Sequence, residues 1–172
     1  MVATREPGQR AIVIILMGVS GSGKTTIGAR LAQSLGWIFL DADGLHPVQN
    51  RDQMSRGIAL SDADREPWLD AVRQSIERLL SASTSAVLAC SALKGSYRRR
   101  IVVDPARVKI VYLKGTKELI AARLRERKGH FMNPELLQSQ FDTLEEPHDA
   151  IAIDIAASPD AIVATIRDRL GI

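Results

Sequence analysis

The chain has 172 residues, 45% of them hydrophobic, which is enough for one α/β domain with a sizeable core and too few for two ordinary domains. Its 23 Lys and Arg against 20 Asp and Glu leave a formal charge of +3 spread over several segments. That balance suits anionic small ligands and argues against a nucleic-acid partner, whose footprint would be a concentrated basic patch.

The single cysteine, Cys90, excludes an intramolecular disulfide and fits a reducing compartment, so cytoplasm is the expected location. Residues 1–10 are polar, with Pro7 and Gly8, and read as a flexible tail before a single domain over residues 11–172. The apolar run 11–17 is far short of the roughly 20 residues a membrane helix needs. It leads into a glycine loop and not into a small-residue cleavage site, so no membrane association is expected.

In chain order, the β-branched and aliphatic run 12–17 predicts a strand buried on both faces. Residues 25–35 predict a helix ending at Gly36. A second strand at 37–41 carries Asp41 and Asp43 at its carboxyl end, and Pro47 marks a turn or a helix start. Residues 65–80 have the spacing of an amphipathic helix, with Asp62 or Asp64 as its cap.

Strands follow at 86–90, 108–113 and 150–155, and helices at 96–103, 116–127, 134–143 and 159–170. Five strands alternating with helices imply an α/β fold of three layers around a parallel sheet.

Gly18-Val19-Ser20-Gly21-Ser22-Gly23-Lys24-Thr25 satisfies every fixed position of G-x-x-x-x-G-K-[ST] and lies between a predicted strand and helix, as a P-loop requires. Its glycines allow successive N–H groups to face phosphate oxygens, and the helix that follows adds its positive end. Lys24 supplies charge for the β- and γ-phosphates of ATP. The Thr25 hydroxyl completes a Mg²⁺ shell, and Thr26 extends the nucleotide-binding set. No Asn-Lys-x-Asp guanine reader occurs, and the strand at 86–90 ends in Cys90-Ser91 where many P-loop ATPases carry an acid. Both absences favour a small kinase.

An extended Asp41-Ala-Asp43 would project both carboxylates to one side, at the crevice where the strands end. Asp43 is the candidate for orienting or deprotonating an attacking hydroxyl, with a helix cap or loop acid as the alternative. His46 is either a substrate contact or a structural hydrogen-bonding residue. Lys94 and Arg98, four apart, would share one helical face and clamp a carboxylate; the alternative is a solvated surface around Arg98. Arg123 and Arg127 stand one turn apart before a glycine-containing interruption, as basic residues of a closing lid would; the alternative is a solvated charged face.

Beyond the P-loop, several segments in this order and spacing resemble the gluconokinase family, a relative of shikimate and nucleoside-monophosphate kinases. They are Phe39-Leu-Asp-Ala-Asp-Gly-Leu-His-Pro47, Asn50 with Met54, Asp62-Ala-Asp-Arg-Glu-Pro-Trp-Leu69, Cys90-Ser-Ala-Leu-Lys94 with Tyr97-Arg98, Arg127-Lys-Gly-His-Phe131, and Gln140-Phe with Leu144-Glu-Glu-Pro147.

The resemblance covers about residues 12–170. It implies ATP-dependent phosphorylation of gluconate, with a related P-loop kinase acting on another sugar acid or a shikimate-like acceptor as the alternative, Mg-ATP as donor and a homodimer. It also implies acceptor contacts near Asp43, His46, Lys94 and Arg98, and a short lid at about 123–134 containing Arg123, Arg127 and His130. Catalysis would fall to Lys24, Asp43 and Arg127. Two positions depart from the family: Ala59 stands where proline is usual, and Gly44 where a bulkier or acidic residue is common.

Overall fold

A computed structural model describes residues 10–126 and 134–172. Five parallel strands, β1 (Val13–Met17), β2 (Ile38–Asp41), β3 (Ala86–Ala89), β4 (Val108–Lys114) and β5 (Ile151–Asp154), form one sheet in the order β2-β3-β1-β4-β5. The described helices are α1 (Lys24–Leu35), α2 (Val48–Ser55), α3 (Asp62–Ser81), α4 (Gly95–Ile101), α5 (Lys117–Glu126), α6 (Pro134–Thr143) and α7 (Pro159–Leu170). Among them, none is long and apolar enough to cross a membrane.

The apolar run of β1 is explained by its central place, since every one of its side chains is buried. Alternation sends Val13, Ile15 and Met17 toward Trp68, Val72 and Ile76 of α3 and Tyr97 and Ile101 of α4. Ile14 and Leu16 face Ile27 and Leu31 of α1 and Ile162 and Ile166 of α7. Each large aliphatic side chain so enclosed contributes roughly 1.5–3 kcal/mol of transfer free energy, so the two layers hold the sheet from both faces.

Local chemistry fixes the helix ends. Gly36 takes the left-handed conformation (φ 65°) and its N–H reaches Ala32 O and Gln33 O, closing α1 where the sequence predicts. Helix α3 starts three residues earlier than the expected residue 65. Its cap is Ser61, not Asp62 or Asp64: the Ser61 hydroxyl accepts from Asp64 N, while the Asp64 carboxylate accepts from Ser61 N at 2.8 Å. This reciprocal capping box satisfies two otherwise orphaned donors.

Helix α2 and a 3₁₀ turn at Ala42–Leu45 fill the stretch after β2 for which only a turn or helix start is expected. The other elements begin or end within two residues of the predicted limits, and Arg127, the last residue of the helix predicted at 116–127, lies outside the described residues.

Strand order places the site. From β1 the chain adds β2 and β3 on one side and β4 and β5 on the other, so β1 stands at the switch point of an open parallel sheet. The loops leaving the carboxyl ends of β1, β2 and β3 therefore converge on one crevice.

Candidate active site

The loop after β1 wraps around its own glycines. Gly21 and Gly23 have φ of 81° and 95°, values that side chains rarely adopt, and Gly23 is also the residue from which α1 starts. Lys24 Nζ donates to Gly18 O at 2.9 Å and Val19 O at 3.0 Å, so the ammonium is held over the loop. The Ser22 hydroxyl is buried within it, with no hydrogen-bond partner among the described residues. Backbone donors, a helix N-terminus and a lysine thus meet in one short loop, the arrangement that binds phosphate.

Asp41 and Asp43 both reach this loop, but not by extended alternation. Asp41 caps the 3₁₀ turn, and its two oxygens are divided: Oδ1 accepts from Asp43 N at 3.1 Å and Oδ2 from Thr25 Oγ1 at 3.0 Å. The turn carries Asp43 into a cavity shared with Lys24 and Ser20. Asp43 keeps solvent contact through the mouth of the cavity, yet surrounding protein desolvates it enough to raise its pKa. Lys24 opposes that rise and Asp41 adds to it.

His46 is 5% exposed and stacks on Trp68, with ring centroids 4.5 Å apart and planes 7° from parallel. Trp68 is in turn fixed by its Nε1–H, which donates to Ala42 O at 2.8 Å. Burial, followed by the charges of Arg65 and Arg51, lowers the His46 pKa to about 4, so the imidazole is neutral near pH 7. Cys90, just after β3, is buried in the core and its thiol is pushed up to about 12, which makes it inert and not a nucleophile.

The cavity holding Asp43 measures about 480 Å³. One wall is Asp43 of the 3₁₀ turn and His46, a second runs from Met54 through Ile58 to Asp62 and Arg65, and a third is Ser91, Leu93 and Lys94 with Tyr97. Helix α6 closes it with Leu136, Ser139, Gln140 and Thr143, positions on one helical face. A separate cavity of about 350 Å³ lies across the glycine loop, lined by Gly21–Gly23, Thr26, Arg123, Leu124 and the 157–162 segment. Arg123 Nη2 is tied there to Ile155 O at 2.5 Å.

The expected clamp of Lys94 and Arg98 does not form. Lys94 precedes α4 as its capping residue and is bound by Asp62, whose oxygens lie 2.7 and 2.8 Å from Nζ. Tyr97 OH also donates to Asp62. Arg98 is 9% exposed, and its Nη1 donates to Ala92 O and Leu93 O, both at 3.0 Å. Ala92 has φ 41°, strained for a residue with a Cβ, so Arg98 braces a distorted loop beneath the cavity and does not line it.

The cation the sequence reading passed over is Arg65. It lies on the cavity wall, 5.8 Å from the Tyr97 ring centroid, and forms no ion pair with a described carboxylate. Arg127 and His130, expected in the lid, lie outside the described residues.

A phosphate-binding loop set between two cavities on an open parallel α/β sheet defines a P-loop kinase acting on a small molecule. The family model described as an AAA domain matches residues 13–150. A probable gluconokinase of Xenopus tropicalis is 42% identical, with 92% of this chain and 93% of the relative covered. Gluconokinase of Arabidopsis thaliana is 46% identical, with 92% of each covered. The crystal structure of a gluconokinase from Sinorhizobium meliloti superposes with TM-score 0.81 at 39% identity, covering 95% of this chain and 98% of that one. The chain belongs to the gluconokinase family.

Proposed function

We propose that the chain transfers the γ-phosphoryl group of ATP to the terminal hydroxyl of gluconate, giving 6-phosphogluconate and ADP. The observation that carries this reading is the division of space around one glycine loop. Arg123 and the loop's outer glycines line one cavity, while Lys24, Ser20 and Asp43 line the other. A nucleotide laid along residues 18–26 with its base beside Arg123 would present its γ-phosphate to the cavity that contains a carboxylate base.

In that arrangement Asp43 accepts the proton of the attacking hydroxyl, whose oxygen bonds to the γ-phosphorus as the bond to the β-phosphate oxygen breaks. Lys24 neutralises charge that develops on the transferred group. Neutral His46 offers a ring nitrogen to a substrate hydroxyl without repelling Arg65.

Arg65 receives the acid end, because it lines the cavity and, unlike Lys94, is held in no salt bridge among the described residues. Lys94, shared with Asp62, adds a second positive charge at that end. Arg98 supports the wall behind it. Arg127 and His130 belong to the lid the family resemblance implies, at about 123–134 of a single domain spanning residues 11–172.

Magnesium fits the donor set at the loop. Thr25 and Asp41 offer oxygen ligands 3.0 Å apart, suited to a hard cation, and no cluster of three His, Cys, Asp or Glu able to cage a metal occurs among the described residues. A cation held there would complete its shell with phosphate oxygens and water, and would withdraw charge from the transferring group. A homodimer in the cytoplasm completes this reading, consistent with the family resemblance and the single cysteine.

Release of ADP measured with gluconate, other hexonates, shikimate and nucleoside monophosphates tests the assignment. The highest kcat/KM is expected with gluconate. ADP release that no acceptor accelerates would sink it.

A further inference from the structure

Helix α6 is tied to both halves of the chemistry, and one side chain makes the connection. Ser20 N donates to Gln140 Oε1 at 2.6 Å, across 120 residues of sequence. A backbone N–H can bond only to the carbonyl oxygen of a carboxamide, so the bond itself settles which way Gln140 points. Its Nε2 then carries two donor hydrogens and gives neither to a described residue. Gln140 lines the same cavity as Lys24 and Asp43.

The helix is anchored so that this side chain is held in place. Leu137, 4% exposed, sits in the core, and Phe141 and Leu144 pack against it. At its far end Glu145 N donates to Leu93 O at 2.9 Å, and the Glu145 carboxylate accepts from Gly95 N at 2.6 Å. The wall that carries Lys94 is thereby fastened to the helix that carries Gln140.

We propose that Gln140 is a positioning residue: its Oε1 holds the Ser20 N–H of the glycine loop while its Nε2 donates to an acceptor hydroxyl beside the transferring phosphoryl group. The carboxamide sets the distance between acceptor and donor, and any polyhydroxy acid bound in the cavity would meet it. This rests on the kinase reading above but not on gluconate in particular.

The test compares wild type with Gln140→Met, which removes both hydrogen bonds without adding charge, and with Gln140→Glu, which keeps an oxygen for Ser20 and deletes the donor. Acceptor KM and kcat, ADP affinity without acceptor, acceptor-free ATP hydrolysis and the thermal midpoint are measured for each. Gln140→Met is expected to raise acceptor KM about tenfold and to lower kcat, with ADP affinity within about twofold of wild type. Gln140→Glu should lose acceptor binding comparably, and both should transfer fewer phosphoryl groups per ATP hydrolysed.

A purely structural role would lower the midpoint and leave that ratio alone. Acceptor KM and kcat within about twofold of wild type in Gln140→Glu would show that the donor is unused, and an equal loss of ADP and acceptor affinity in Gln140→Met would place the residue at the nucleotide; either overturns the proposal. Should the methionine variant not fold, the glutamate variant decides. If wild type prefers another acceptor, the gluconate assignment fails and the same comparison, run with that acceptor, still judges Gln140.

Discussion

The Thr25 hydroxyl donates to Asp41 Oδ2 at 3.0 Å, joining the first turn of α1 to the end of β2. Asp43 stands two residues further, its backbone N–H bonded to the other oxygen of the same carboxylate. The two acids therefore have different tasks: Asp41 is committed to the loop threonine, and Asp43 faces the cavity.

Asp43→Asn is expected to fold, bind Mg-ATP and lose about 10²- to 10⁴-fold in kcat, the range for removal of a general base. Asp41→Asn should instead raise the Mg²⁺ concentration needed for half-maximal rate, with a smaller loss at saturating metal. Magnesium titrations of both variants separate the roles. An Asp43→Asn enzyme within about twofold of wild type would show that the wrong carboxylate has been assigned.

The pKa of Asp43 is raised, chiefly by desolvation, so its neutral form is favoured in the fold. The sign follows: its contribution to stability is present below the unfolded pKa of 3.8 and is lost as pH rises through the higher folded value. Above that value the ionised group burdens the fold, and Asp43→Asn should there melt at a higher temperature than wild type. The gap should narrow in acid. In kinetics, the acid limb of wild-type kcat should lie above the ordinary aspartate range and vanish in the variant, and an unchanged limb would assign it to another group.

His46 works in the opposite direction. Its pKa falls from 6.5 to about 4, so the buried neutral ring contributes stability above pH 6.5 that is lost as pH drops toward 4. His46→Phe keeps an aromatic ring for Trp68 and removes the titration. Its stability relative to wild type should therefore rise between pH 6.5 and 4 and stay level at higher pH. Parallel melting curves across that window would contradict a neutral, buried His46.

Arg65 and Arg98 should respond differently to neutralisation. Arg65→Gln is expected to weaken gluconate roughly ten- to a hundredfold while leaving ADP binding nearly unchanged, as loss of a charge-assisted bond does. Arg98→Met should cost about 1–3 kcal/mol of stability, because Ala92 O and Leu93 O lose their donor. Denaturant titration and acceptor kinetics on the same two variants test this. A folded, fully stable Arg98→Met enzyme with poor gluconate affinity would restore the clamp predicted from sequence.

Local information was enough for much of this protein. The β1 run, the glycine loop and the start of α1 form one contiguous segment, and their chemistry depends on glycine φ angles, a helix end and one lysine a few residues apart. Strand and helix periodicity likewise marks which faces are buried, since the parallel sheet buries both sides of β1. The acids after β2 were legible because a strand's carboxyl end in such a sheet opens on the crevice.

Tertiary packing alone decided the rest. Spacing cannot tell that Arg98 turns inward to brace Ala92 while Lys94 goes to Asp62, 32 residues away, because that choice is made where α4 meets the start of α3. Arg65 is left on the cavity wall without a salt bridge among the described residues only once those pairings are formed, and Gln140 reaches Ser20 only because α6 docks across the loop. Sequence fixes residue types along short stretches, but which polar group is already satisfied depends on partners from distant elements. That satisfaction, more than residue type, determines which side chain remains for the substrate.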